Sequence, residues 1–158
     1  MQECDSVNFS SEVKNGVKKV IIMLGAPNSG KGTSAREIST KYSLPQISTG
    51  DILRNEMKNG TELGNKVQAY MNSGSLVPDD LIMDIFKSRI SMPDCNRGYI
   101  LDGFPRTVQQ AEKLEELLKQ EKNAEVKVIN LDVDESILYE RSAKRYMCSD
   151  CSRTYSLN

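Results

Sequence analysis

Two rhythms of apolar residues alternate along this chain. Val17–Leu24 (VKKVIIML) is a short, β-branched apolar run closed by Gly25, which predicts a buried strand. LPQIST (44–49), GYILDG (98–103) and VKVINLDV (126–133) repeat that signature and predict three more strands. Between them the spacing changes to three and four. KGTSAREISTKY (31–42), GDILRNEMKNG (50–60) and TELGNKVQAYMNSG (61–74) read as helices, the second with Thr49 or Asp51 as cap. VPDDLIMDIFKSRI (77–90) reads as a helix with Pro78 and two aspartates at its start and Leu81, Ile82, Ile85, Phe86 and Ile90 on one face. TVQQAEKLEELLKQEK (107–122) presents Val108, Ala111, Leu114 and Leu118, and DESILYERSAKRY (134–146) forms a last helix capped by Asp134 or Ser136. Residues 1–16 carry neither rhythm and read as a polar arm. Strands alternating with helices predict an α/β fold with a parallel sheet and helices on both faces. The strandless stretch from about residue 50 to 74 reads as a helical insertion.

Composition narrows the chemistry. The 158 residues suffice for one domain with a core, and a net charge of −1 argues against a broad nucleic-acid surface. No apolar run is long enough to span a membrane. The N-terminus has the features of neither a secretion signal nor a mitochondrial presequence, so the expected location is the cytoplasm, with its 4 cysteines as thiols or metal ligands. There are 0 histidines. Chemistry in this chain therefore runs without a histidine base, nucleophile or metal ligand, which favours reactions driven by positioning and electrostatics.

One segment supplies such chemistry. GAPNSGKGT (25–33) stands between the first strand and the first helix and follows the phosphate-loop pattern through Gly25, Gly30 and Lys31, with Gly32 inserted before Thr33. Glycines let backbone N–H groups curl around phosphate oxygens, the helix N-terminus adds its dipole, and Lys31 brings a positive charge. The Thr33 hydroxyl can reach a phosphate or Mg²⁺.

Together with STGDILR (48–54) and LDGFPRTVQQA (101–111), this loop resembles the nucleoside monophosphate kinases, and most closely the long-lid adenylate kinases. The resemblance runs from Val17 to the C-terminus. It implies a P-loop core at 17–47 and 78–140, an AMP-binding insertion at 48–77 and a partial lid at 141–158. It also implies transfer of the ATP γ-phosphoryl to AMP, giving two ADP. The attacking phosphate oxygen is already anionic, which suits a chain lacking histidine. The resemblance places ATP phosphates on Asn28, Ser29, Gly30, Lys31, Gly32 and Thr33, and on the lid-base arginines Arg141 and Arg145, expected four apart on one helix face. Thr154 and Tyr155 fall near the ATP. AMP falls to Thr49, Arg54, Ser75, Leu76, Val77, Gly103, Phe104, Pro105, Arg106 and Gln110, whose carboxamide suits adenine. Lys31, Arg106, Arg141 and Arg145 are the expected catalytic charges. Asp102 matches the carboxylate that holds Mg²⁺ through water.

The chain also departs from the family pattern. Asn28 stands where a glycine is usual, Lys144 where a glycine is usual, and Tyr146 where an arginine is common. Family members continue beyond the lid, so the core's C-terminal part is expected to be absent here. Weak or absent turnover and self-association through an open VKVINLDV edge follow from that expectation, in a family that is usually monomeric. Cys148 and Cys151 match half of a zinc-bearing lid, two ligands of the four that Zn²⁺ takes. Alternatives are a non-catalytic nucleotide-binding module, a kinase for another nucleoside monophosphate, and a GTP:AMP phosphotransferase. A zinc ribbon for nucleic acid is disfavoured by the charge balance.

Overall fold

A computed structural model describes residues 16–73, 77–121, 123–148 and 154–156. In chain order the elements are β1 (Lys18–Gly25), α1 (Lys31–Tyr42), β2 (Gln46–Ser48), α2 (Thr49–Lys58), α3 (Glu62–Asn72) and α4 (Asp79–Ile90). A 3₁₀ turn (Pro93–Cys95) leads to β3 (Gly98–Asp102), followed by α5 (Val108–Gln120), β4 (Ala124–Leu131), α6 (Glu135–Ala143), β5 (Arg145–Met147) and β6 (Thr154–Ser156). The first four strands form one parallel sheet in the order β2-β3-β1-β4, as the alternation of strands and helices predicts. The register sets Val20 beside Tyr99 on one side and beside Val126 on the other.

Strand alternation splits the core of this sheet in two. Val20 and Ile22 of β1 point to one face and pack with Tyr99, Leu101, Phe86, Phe104 and Leu114, the contributions of β3, α4, the loop after β3 and α5. Ile21 and Met23 point to the other face and pack with Ile100, Leu44 and Ala35 of α1. Phe86 meets Tyr99 edge to face, with ring centroids 6.1 Å apart. β3 can approach β1 only because its first residue is a glycine. Gly98 has φ +132°, and a Cβ there would lie 2.0 Å from the Lys19 carbonyl oxygen.

β4 lies at the sheet edge. Its Ile129 and Leu131 pack toward the α1 face, whereas Val126 and Val128 remain 41% and 59% exposed. These two valines help line an apolar groove of about 500 Å³ with Ile22, Leu24, Leu114 and Leu118.

Three local expectations are corrected. The helix from Asp134 stops at Ala143, so Arg145 belongs to β5 and not to the helix face of Arg141. The cause is non-local: Arg145–Met147 pairs antiparallel with Thr154–Ser156, setting Tyr146 against Tyr155. Ser48, not Thr49 or Asp51, caps α2, its side chain accepting the Asp51 N–H at 3.4 Å. On α5 the inward stripe runs through Gln110 and Leu114, while Ala111 is exposed and Val108 stays 74% exposed. Asp134 caps α6 as expected, accepting the Ser136 N–H at 2.9 Å.

Candidate functional site

The C-terminal ends of β1 and β3 open onto the same region, where parallel α/β sheets bind ligands. At the end of β1 the chain turns through Gly25, whose φ of +141° and whose approach to Leu131 exclude any side chain: a Cβ would stand 2.6 Å from the Leu131 carbonyl oxygen. Asn28 (φ 66°) and Gly30 (φ 101°) are also left-handed, and this curls the loop into the first turn of α1. Gly30 caps α1 without a side-chain hydrogen bond, and no acidic residue stands in the first turn. The positive pole of this 12-residue helix thus carries no acidic residue of its own. Inside the loop, the Ser29 hydroxyl is buried with no hydrogen-bond partner.

The Lys31 amine folds back on the loop and donates to the carbonyl oxygens of Gly25 (2.7 Å) and Ala26 (2.6 Å). Its pKa lies below the ordinary 10.5, chiefly because burial disfavours the ammonium. Asp102 pulls it back up, and Arg106 and Arg145 push it further down. Those influences bring together four of the charges the sequence singled out.

Asp102, at the end of β3, lies against the first turn of α1: a Cβ on Gly32 would be 3.3 Å from its Oδ2. The same Oδ2 accepts from the Gln46 carboxamide at 2.9 Å. Beyond it, Gly103 (φ 75°) turns the chain, and its carbonyl oxygen accepts from Arg106 Nε at 2.7 Å and from the Thr49 hydroxyl at 3.5 Å. Phe104 is buried in the core and joined to Pro105 by a cis peptide bond. Gln110 is only 3% exposed; its Oε1 accepts the Arg106 N–H at 2.8 Å and its Nε2 donates to Asp79 Oδ1 at 2.6 Å. Arg54, on α2, is exposed and pairs with Asp51 one turn away.

Arg141 and Arg145 reach the loop from different elements. Arg141, on α6, donates to the carbonyl oxygens of Asn28 (3.3 Å) and Ser29 (3.2 Å). Arg145, on β5, donates to Asn28 Oδ1 at 2.8 Å. The structure thus brings Asn28, Ser29, Gly30, Lys31, Gly32, Asp102, Arg106, Arg141 and Arg145 to one rim, with Thr49, Gly103 and Gln110 on its flank. Thr33 is exposed in the first turn of α1, Val77 precedes α4, and Thr154 and Tyr155 lie on β6. Ser75, Leu76 and Cys151 lie outside the described residues, and Cys148 directly follows β5.

Two participants escaped sequence reading. Gln46 supports Asp102, and Asp79 holds both Gln110 and the Thr107 hydroxyl, the latter at 3.1 Å. The polar residue inside the short apolar LPQIST run was the available signal for Gln46. Asp79 had only its helix-start position, which equally suits a dipole role.

Asp102 and Thr33 supply the hard oxygen donors that Mg²⁺ takes alongside substrate phosphates, so these residues fit that ion. Among the described residues, no group of three or more Cys, Asp or Glu could hold a metal by itself. None of their helices is long and apolar enough to cross a membrane.

A family model described as adenylate kinase matches residues 23–154. The adenylate kinase of Acetivibrio thermocellus is 52% identical over 138 residues, 87% of this chain and 63% of the relative. That of Archaeoglobus fulgidus is 49% identical over 137 residues, covering 87% of this chain and 63% of its own length. That of Clostridioides difficile is 50% identical over 135 residues, covering 85% and 62%. The chain therefore spans less than two thirds of the length of these curated relatives.

Proposed function

The chain belongs to the adenylate kinase family, and from that premise we propose that it binds ATP and AMP and serves Mg²⁺-dependent transfer of the γ-phosphoryl between them. One observation carries the reading. Lys31, Arg106, Arg141 and Arg145 surround a glycine loop at a helix N-terminus whose cap, Gly30, has no side chain, with a carboxylate, Asp102, at the rim.

Each group has a chemical task in this reading. The loop N–H groups and Lys31 cradle the ATP phosphates, and Arg141 and Arg145 cover them from the lid side. Arg106 lies between donor and acceptor, where it neutralises the charge spread over the transferring phosphoryl. The insertion at 48–77 holds AMP, with Arg54 on its phosphate and Thr49 and Gln110 toward its base. Gln110 then gives up the Asp79 contact for adenine. When bound with ATP, Mg²⁺ neutralises phosphate charge; Asp102 would hold it through water, with Gln46 fixing that carboxylate and Thr33 offering a further oxygen. Zn²⁺ would need two ligands besides Cys148 and Cys151.

Calorimetric titration of the 158-residue chain with ATP and AMP separately, beside a coupled assay for ADP, tests the reading. ATP is expected to bind and Lys31→Met to abolish that binding. Binding of both nucleotides without ADP formation restricts the chain to a nucleotide-binding role. No binding of either overturns the proposal.

A further inference from the structure

We propose that Asn28 is a positioning residue, one whose side chain holds Arg145 over the phosphate loop before nucleotide arrives. This rests on the kinase reading above.

The left-handed backbone of Asn28 (φ 66°) is one that glycine adopts freely and that asparagine tolerates better than most residues. That conformation accompanies two contacts. The Asn28 carbonyl oxygen accepts from Arg141 at 3.3 Å, while its side-chain Oδ1 accepts from Arg145 at 2.8 Å. The partners lie 113 and 117 residues away, on α6 and β5. One loop residue therefore fastens the helix and the hairpin to the phosphate loop. Glycine could make only the backbone contact.

The chemistry of the carboxamide fits a tether that does not compete with substrate. A neutral oxygen holds the guanidinium without cancelling its charge, and a guanidinium has five N–H donors, most of them still available for phosphate. An aspartate here would hold Arg145 more tightly but set a negative charge beside the incoming phosphates. A long exposed side chain loses rotamer freedom when it binds. Arg145 held at Asn28 has lost part of that freedom in advance.

The test uses the full chain, Asn28→Gly, Arg145→Ala and the double variant. Side-chain ¹⁵N NMR of the nucleotide-free protein reads the Arg145 guanidinium directly. It is expected to be ordered in the parent and averaged in Asn28→Gly. Calorimetry with MgATP should show about 3- to 10-fold weaker binding for Asn28→Gly, the scale of ordering one long side chain on binding. AMP affinity should not change, and Asn28→Gly should have no further effect in the Arg145→Ala background. Unchanged or tighter ATP binding by Asn28→Gly, or losses that simply add, would overturn the positioning role. An Arg145 signal identical in parent and Asn28→Gly would refute the tether even with the kinase reading intact. An ordered Arg145 in a parent that binds no ATP would sink the kinase reading and the positioning role together, leaving only a structural contact.

Discussion

Gln110 and Asp79, 31 residues apart, are joined by a 2.6 Å hydrogen bond that ties the first turn of α5 to the first turn of α4. The other end of the same carboxamide accepts the Arg106 N–H. Both polar ends of a buried side chain are therefore used, and an apolar replacement removes a contact from the Arg106 N–H and from Asp79, which keeps only Thr107. Gln110→Leu should lower unfolding stability by about 1–3 kcal/mol, the cost of leaving buried hydrogen-bonding groups unpaired. Urea denaturation measures it. If the variant is as stable as the parent, the bridge is not holding the helix starts together. Weaker AMP binding by the folded variant would separate a role in base recognition from a purely structural one.

Lys31 gives a pH prediction. Only the ammonium form attracts phosphate, and its pKa in the free protein lies below 10.5, chiefly through burial. ATP affinity should hold below that lowered value and fall about tenfold per pH unit above it, so the decline begins before pH 10.5. The stability effect has the opposite sense. A lysine depressed in the folded state opposes folding while both states are protonated, and this opposition fades as pH rises through the folded value toward the unfolded one. Titrations from about pH 7 to pH 10 on the parent and on Lys31→Arg test the assignment, since arginine keeps its charge throughout. Identical profiles would count against it.

Tyr99 is fully buried against Phe86, and its hydroxyl has no hydrogen-bond partner. Burial pushes the phenol's pKa well above its usual 10.0, and the Glu121 carboxylate adds to the shift. Tyr99→Phe keeps the edge-to-face ring packing and removes an unsatisfied polar atom. Stability should stay level or rise by about 1 kcal/mol, seen as a higher midpoint in thermal or urea unfolding. A clear loss would mean the hydroxyl has a partner in solution.

The outer edge of β4 carries alternating character suited to pairing with its own copy. Glu125 and Lys127 share one face, 3.6 Å apart, while the exposed Val126 and Val128 share the other. An antiparallel pair of β4 strands with its two-fold axis at Val126 would set each Glu125 across from a Lys127 and join the two apolar grooves. Light scattering of the 158-residue chain should show concentration-dependent association, and Val128→Lys should shift it toward monomer. A monomer at every concentration would remove this prediction.

The elements visible in the sequence were those whose burial is set by local rhythm. The β1 run and the amphipathic α4 declare themselves because one face of each must leave water, and the phosphate loop does so because few other sequences place glycines and a lysine between a strand and a helix. What stayed hidden depends on distant partners. Arg145 left the helix because residues 154–156 offered it a strand. Gln110, polar on a surface-looking helix, went inside because Asp79 and the Arg106 backbone satisfy it there. Gln46 stood out only as a polar residue in an apolar run; its partner Asp102, 56 positions away, left no mark beside it.

The Gly103 carbonyl oxygen serves two donors at once, the Thr49 hydroxyl at the start of α2 and the Arg106 guanidinium. It is therefore a shared pivot. Any swing of the α2–α3 pair about its root carries Thr49 off that oxygen, and a lone pair it vacates becomes available to Arg106. Displacement of the α2–α3 pair would therefore alter the surroundings of the one atom that holds the Arg106 guanidinium.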